Sequence, residues 1–363
     1  MNKLKLFFIY IERTLYFLLQ KFFFNKKNRN PENVKNILVV RLNHIGDLFI
    51  SLPSIFCLKE KFKDAKITLV TGIWNKGLVE FQSQLFDNVY YYNLNKNCRN
   101  KNLKMSLPRK MGILKKLRKE KYELCADFDG AWIFCFLYIF SKIKYLSTAA
   151  YLRFNQNLEQ LKIKKNKFKY DINRSYEGDN IFEVVKQFSV PDNREKFVLN
   201  IDNEIKNKAN SFINGLGRER KIVGIHPVAS IKEKMWTPEG FAHLCNHLLS
   251  EKNFSVVIFG AKDDASYIKE IADKIEYKEN VNIQTAFNIG EFITAVSYCD
   301  CFICLDSLAQ HIVRYFNLPS LIIYMSENSA RWSKAGDNIK TVLLKNKTDY
   351  NNIFKELTYF NRI

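Results

Sequence analysis

The stretch that most constrains this chain is Ile37-Leu38-Val39-Val40-Arg41-Leu42-Asn43-His44-Ile45-Gly46-Asp47, running on through Leu48 to Phe62. Ile37 to Val40 is a short apolar, β-branched run, the signature of a parallel strand buried on both faces. A short polar turn follows. From Leu48 to Phe62 the period becomes helical, with Ile50, Leu52, Ile55, Leu58 and Phe62 on one side. Strand, tight turn and helix in that order open a βα unit, and the carboxyl end of its strand is where open α/β sheets bind ligands. Gly46 lets the backbone approach a neighbour or a ligand closely. Asp47, at the helix start, reads either as a cap of the helix amides or as a reactive carboxylate.

The βα rhythm recurs twice along the chain. In the first half, strands are expected at Ile67 to Thr71, Asp87 to Tyr92 and Leu124 to Phe128. Helices are expected at Met111 to Lys119, Ala131 to Phe140 and about Asn180 to Phe188. Residues 191–220, with Pro191, Gly215 and Gly217, form the boundary region. The rhythm then restarts. Strands fall at Lys221 to Ile225, Ser255 to Phe259, around Ile283, at Cys301 to Leu305 and at 320–324; helices fall at Pro238 to Ser250, Asp264 to Ile275, Ile289 to Tyr298 and 307–316. Two consecutive βα arrays make two Rossmann-like domains facing across a cleft the most economical α/β architecture. The expected division is an N-terminal segment 1–33, a first domain 34–205, a second domain 206–345 and a C-terminal helix 346–363.

Charge narrows the partners. The net charge is +20, and residues 96–121 hold eleven Lys or Arg against one Glu. Further excesses lie at 1–33 and 142–174, so the first half is expected to face an anionic surface or substrate. No zinc finger, recognition helix or RNA-binding aromatic signature accompanies the charge, which leaves nucleic acid a weak alternative that rests on charge alone. Residues 1–24 are apolar but interrupted by Lys5, Glu12, Arg13 and Lys21, too charged for a spanning helix. They read as an amphipathic helix lying on a membrane surface, or packed on the protein itself. The eight cysteines are scattered; Cys299, Cys301 and Cys304 read as a buried strand, not a metal site.

Three loops of the second half follow strands. His226-Pro227-Val228-Ala229-Ser230 leads to Lys234 and Trp236, and places a lysine where it can meet a phosphate. Gly260-Ala261-Lys262-Asp263-Asp264 opens a helix with two acids. Asp306-Ser307-Leu308-Ala309-Gln310-His311 follows the apolar strand, with Asp306 as a candidate cap. The amides of Ser307, Leu308 and Ala309 then form a ready anion site. Together the loops favour a nucleoside diphosphate held by helix N-termini and a lysine. Neither a phosphate-binding P-loop nor a Gly-x-Gly-x-x-Gly turn occurs, which disfavours an ATPase or a dehydrogenase.

These motifs resemble those of the bacterial ADP-heptose:lipopolysaccharide heptosyltransferases, inverting enzymes of glycosyltransferase family 9 with the two-domain GT-B fold. The resemblance rests on Ile37 to Asp47 with Leu52-Pro53, on His226-Pro227 through Ser230, Lys234, Trp236 and Pro238-Glu239, and on Asp306-Ser307 with His311 and Pro319. Order and spacing agree over about residues 34–335. The resemblance implies Asp47 as catalytic base and Lys234 as the lysine on the donor phosphate. It implies a donor loop of Asp306, Ser307, Leu308 and Ala309 supported by His311, with Gly46 and Ser230 beside the bound sugar nucleotide and Asp264 near the donor ribose. It further implies an ADP-sugar donor, no metal or other cofactor, an anionic phosphorylated glycolipid acceptor met by the 96–121 span, and a cytoplasmic protein peripheral to the inner membrane. Leu308 stands where the family usually has glycine, and is expected to crowd the pyrophosphate unless its side chain turns away. Two readings compete: the same fold using another nucleotide sugar for cell-surface glycan synthesis, and a membrane-associated glycan- or nucleotide-binding protein without catalysis.

Overall fold

The structure is a computed structural model, and it describes residues 31–94, 101–130, 143–149, 176–325 except 218 and 252, and 338–357 except 345, 348 and 349, with isolated positions at 134, 138, 332 and 336. The expected helix at 1–24, most of the 131–140 helix, the basic stretch from 150 to 175 and the last residues from 358 lie outside them.

The chain divides into two units, residues 1–199 and 200–363. The first is built on five parallel strands, β1 (Asn36–Arg41), β2 (Lys66–Thr71), β3 (Asn88–Tyr91), β4 (Leu124–Asp127) and β5 (Tyr145–Thr148), in the order β3-β2-β1-β4-β5. The second carries six parallel strands: β6 (Lys221–His226), β7 (Phe254–Phe259), β8 (Val281–Gln284), β9 (Cys301–Leu305), β10 (Ser320–Tyr324) and β11 (Ile339–Leu343). Their order, β8-β7-β6-β9-β10-β11, is the doubly wound arrangement, in which the chain starts at the centre and reverses direction once. Each sheet therefore has one reversal point, between β1 and β4 in the first unit and between β6 and β9 in the second.

The central strands read as continuous apolar runs because both of their faces are covered. All six residues of β7 and all five of β9 and β10 are buried. Cys301 and Cys304 sit three apart on β9, so they point to opposite faces of the sheet, and burial pushes the Cys301 thiol up to about 12. They are core residues, as the apolar run of β9 implies.

Several elements depart from the sequence expectation. The helix expected from Leu48 to Phe62 is two, α1 (Ile45–Phe49) and α2 (Leu52–Lys61). Pro53 has no N–H to continue the first helix, and the Ser51 hydroxyl donates to the Asp47 carbonyl at 2.6 Å across the break. In the first unit α3 (Lys76–Phe81), α4 (Leu107–Lys119) and α5 (Glu177–Lys186) follow. The unit boundary falls ahead of the expected 205/206, because α6 (Asn203–Asn214) belongs to the second unit. Lys208 of α6 pairs with Glu291 at 2.6 Å, and Phe212 meets Phe287 edge to face. That unit also holds α7 (Pro238–Ser250), α8 (Ala265–Asp273), α9 (Ile289–Val296), α10 (Leu308–Tyr315) and α11 (Asn351–Leu357). Helix α11 packs on the same unit: the Phe354 ring stacks on His247 of α7, and Tyr350 just ahead of α11 lies against Trp236.

Candidate functional site

In the first unit the reversal point gathers charge. The β1–α1 turn places Asp47 in the first turn of α1, where its Oδ2 accepts the His44 backbone N–H at 2.9 Å. The N-cap of α1 is His44, so Asp47 is not the cap of the helix amides; it closes the capping box from the third helical position and leaves Oδ1 outside that bond. Oδ1 faces Nη2 of Arg41 at 3.5 Å, and the side chain keeps 13% of its exposure. Arg41, the last residue of β1, is itself buried. Its Nη1 lies 3.0 Å from Asp129 in the turn after β4, and its Nε donates to the Asp47 carbonyl at 3.0 Å. Asp129 also receives Asn43 Nδ2 at 2.6 Å and the Leu42 backbone N–H.

Burial pushes the Asp47 carboxyl above the usual range; Arg41 pulls it back, while Asp129 adds to the rise. Asp127, at the end of β4, is wholly buried, and its Oδ1 accepts the N–H groups of Asp129 at 3.0 Å and Gly130 at 2.8 Å. Gly130 takes φ 67°, the left-handed conformation this turn requires and glycine adopts without strain. Burial, and then the charge of Asp129, lift Asp127 to about 7. Gly46 is buried within α1, with no positive φ.

The second unit has the corresponding arrangement. Lys234, in a single turn after β6, places Nζ 2.6 Å from Oδ2 of Asp306 at the end of β9. Gln310 Nε2 donates to Oδ1 of Asp306 at 2.5 Å, and the Tyr324 hydroxyl of β10 donates to Gln310 Oε1 at 2.8 Å. The cap position of α10, expected at Asp306, falls one residue later. Ser307 holds the cap position of α10, and its hydroxyl lies 3.3 Å from His226 Nδ1 at the end of β6. His226 is driven down to about 4 by burial, partly offset by Asp264, and is neutral near pH 7. Asp264 closes its own turn by accepting the Ala261 N–H at 3.0 Å.

The loop bearing Lys234 is anchored at its far end. Trp236 is buried, donates its indole N–H to the Lys347 carbonyl at 2.7 Å, and accepts the Tyr267 hydroxyl on its own carbonyl at 2.7 Å. A Cβ on Gly240 would come within 2.3 Å of that indole, so Gly240 is what lets α7 lie against it.

The sequence-derived site residues thus fall into two groups. Lys234, Asp306 and Ser307 share one reversal point, joined by His226 and, through its charge, Asp264. Ser230 is exposed on the loop after β6, and Ala309 is fully buried, so only its amide can serve a ligand. Leu308 is half-buried at the first position of α10, with no positive φ. His311 is buried, its ring 6.3 Å from that of Trp332. Asp47 and Gly46 lie at the other reversal point. Sequence reasoning assigned no role to Arg41, Asp127, Asp129 or His226; the Asp-Phe-Asp-Gly turn closing a buried strand was the signal available for two of them. Among the described residues no three His, Cys, Asp or Glu side chains are grouped to hold a metal, and no helix is long and apolar enough to cross a membrane.

Comparison with known proteins identifies the family. The model for glycosyltransferase family 9 (heptosyltransferase) matches residues 111–358. That match begins after the β1–α1 turn, so Asp47 lies ahead of it. Lipopolysaccharide heptosyltransferase 3 of Escherichia coli is 20% identical over 309 residues, 81% of this chain and 84% of that one. Among solved structures, a family 9 glycosyl transferase from Veillonella parvula superposes with a TM-score of 0.67 at 18% identity, covering 93% of this chain and 92% of that one. The E. coli ADP-heptose heptosyltransferase II gives 0.64 at 16% identity, covering 89% and 98%. At these identities the structural likeness establishes the fold, two Rossmann-like domains of the GT-B kind.

Proposed function

The chain belongs to glycosyltransferase family 9, and from that premise we propose that it moves a heptose or related sugar, with inversion, from an ADP-sugar to a phosphorylated lipopolysaccharide or lipooligosaccharide core. The observation that carries the chemical assignment is the placing of Asp47. It is a partly exposed carboxylate at the reversal point of the first sheet, held by the His44 amide and lifted in basicity by burial.

Asp47 takes the proton of an acceptor hydroxyl as that oxygen attacks the anomeric carbon. A raised carboxyl pKa brings the base closer to the operating pH, and its fixed position supplies the geometry. Attack opposite the leaving group inverts the anomeric configuration. The departing nucleoside diphosphate gathers negative charge. Lys234 and the first amides of α10 meet it, since those amides have no carbonyl partner within the helix and lie at its positive end. Neutral His226 holds the Ser307 hydroxyl beside them. The basic face of α4, with Arg109, Lys115, Lys116, Arg118 and Lys119, suits an acceptor that bears phosphate at a membrane surface. The protein then works at the cytoplasmic face of the inner membrane.

The test is a calorimetric screen of nucleoside diphosphates and nucleotide sugars, comparing wild type with Lys234→Ala. Selective binding of ADP or an ADP-sugar, weakened in the variant, supports heptosyl transfer. A second reading, another nucleotide sugar on the same fold, is favoured by Leu308, and tight binding of a uridine or guanosine nucleotide would establish it. No binding to any would favour a protein without catalysis.

A further inference from the structure

The first unit contains a carboxylate that this reaction leaves unused. The Asp129 side chain is only 4% exposed, and it accepts three donors: Arg41 Nη1 at 3.0 Å and Asn43 Nδ2 at 2.6 Å on Oδ1, and the Leu42 N–H on Oδ2. The cation it shares with Asp47 is held by hydrogen bonds through Nε and Nη1. Arg41 donates through Nε to the Asp47 carbonyl at 3.0 Å and through Nη1 to the Phe128 carbonyl at 3.2 Å. Between the two carboxylates the guanidinium sits closer to Asp129, with Asp47 Oδ1 farther away at 3.5 Å.

We propose that Asp129 is a positioning residue for the transfer reaction: it draws the Arg41 guanidinium onto itself, so that Asp47 is oriented by the cation without being neutralised by it. This rests on the assignment of Asp47 as base. An arginine alone beside a buried carboxylate closes into a two-point fork, the strongest form of ion pair, and such a pair makes a poor base. A second carboxylate on the same guanidinium divides that attraction and sets a like charge near the base. The charged and titratable groups facing Asp47 are Arg41 from β1, Asp129 from the turn after β4, and His44 on its own turn. Of the three, Asp129 alone adds negative charge. A purely structural role, shaping the turn through the Leu42 and Asn43 bonds, is the alternative.

The two roles separate by titration. Protein labelled with 13C at the aspartate carboxyls reports the Asp47 midpoint, its signal identified by its loss in Asp47→Asn. In wild type the midpoint is expected above the ordinary value of about 4. In Asp129→Asn it moves to lower pH, and kcat falls roughly tenfold, a fraction of the ~10²–10⁴ a positioned base contributes. The donor KM stays unchanged, and Asp129→Glu recovers part of both effects. An Asp47 midpoint equal in wild type and Asp129→Asn overturns the proposal whatever happens to rate. If thermal melting shows that Asp129→Asn does not fold, the wild-type titration decides, and a midpoint at or below the ordinary value overturns it. A titration that moves as expected in a protein turning over no nucleotide sugar would sink the transferase reading and leave the Asp129–Arg41–Asp47 relation standing.

Discussion

Lys234 Nζ and Asp306 Oδ2 lie 2.6 Å apart, joining the loop after β6 to the end of β9 across the reversal point of the second sheet. The acid is the more buried partner, 7% exposed against 30% for the lysine. Asp306 is held in place by Gln310, which is held in turn by Tyr324, so the carboxylate is a fixed post on which a flexible cation rests. A negative charge at the start of α10 is favourable to the helix but opposes an incoming diphosphate. Lys234 screens it. The ammonium can keep one N–H on Asp306 while turning the others to phosphate, because lysine has three donors on a rotatable stem.

It follows that Lys234→Ala does two things. If Lys234 holds the donor as proposed, the change removes a phosphate contact and exposes the diphosphate to the uncompensated charge of Asp306, so donor affinity should fall by more than one lost hydrogen bond, about 10²-fold. Adding Asp306→Asn to Lys234→Ala should restore part of that loss by removing the repulsion. Calorimetry on the four proteins of this double-mutant cycle measures the coupling. Strict additivity would show that the two residues act independently on the donor.

Asp47→Ala tests the other unit. Turnover should be abolished, while donor affinity stays within about tenfold, because a base that acts only in the transition state adds little to ground-state binding. Asp47→Asn should be as inactive, since the amide keeps the shape and can still accept the His44 N–H but cannot take a proton. Loss of donor binding in either variant would show that the residue is structural.

The apolar runs made most of this legible before any coordinates. β9 and β10 and the helix Pro238–Ser250 have their bounds as read from the sequence. β5 and β11 escaped because they are edge strands, and β11 sets exposed Lys340, Thr341 and Leu343 around a single buried Val342 instead of forming an apolar run. Helix α6 was hidden in a charged stretch whose buried positions, Ala209 and Ile213, are too few to mark a period. The candidate site residues could be placed individually, since each belongs to a segment that follows a strand. Their pairings could not be. That Asp306 meets Lys234, and that Arg41 is shared with Asp129, depends on which strands adjoin at the reversal point. That order is a long-range property with no local signal.

Leu308 offers a sharper test of donor geometry. It sits at the first position of a right-handed helix with no positive φ, so its backbone gains nothing from glycine there. Leu308→Gly should cost up to about 1 kcal/mol of stability and leave ADP affinity within a few-fold if the leucine side chain lies clear of the phosphates. A gain of tenfold or more in ADP affinity, read by calorimetry, would show instead that leucine crowds the site.

Asp127 makes stability depend on pH in an unusual direction. Burial, reinforced by the charge of Asp129, lifts its carboxyl to about 7 in the folded protein, against an unfolded value of about 4. Between those values the folded state holds a proton that the unfolded chain has released. The stabilisation is complete below the unfolded value, falls as pH rises through the window, and is gone above the folded one, a change on the order of a few kcal/mol. Asp127→Asn keeps an oxygen to accept the Asp129 and Gly130 amides and has no proton to lose. Thermal melts of both proteins at pH 5 and pH 8 should therefore diverge, with the variant gaining on wild type at pH 8. A difference between the two that is the same at both pH values would mean that Asp127 titrates as an ordinary carboxylate, and that the interior around the end of β4 is far more hydrated than its packing indicates.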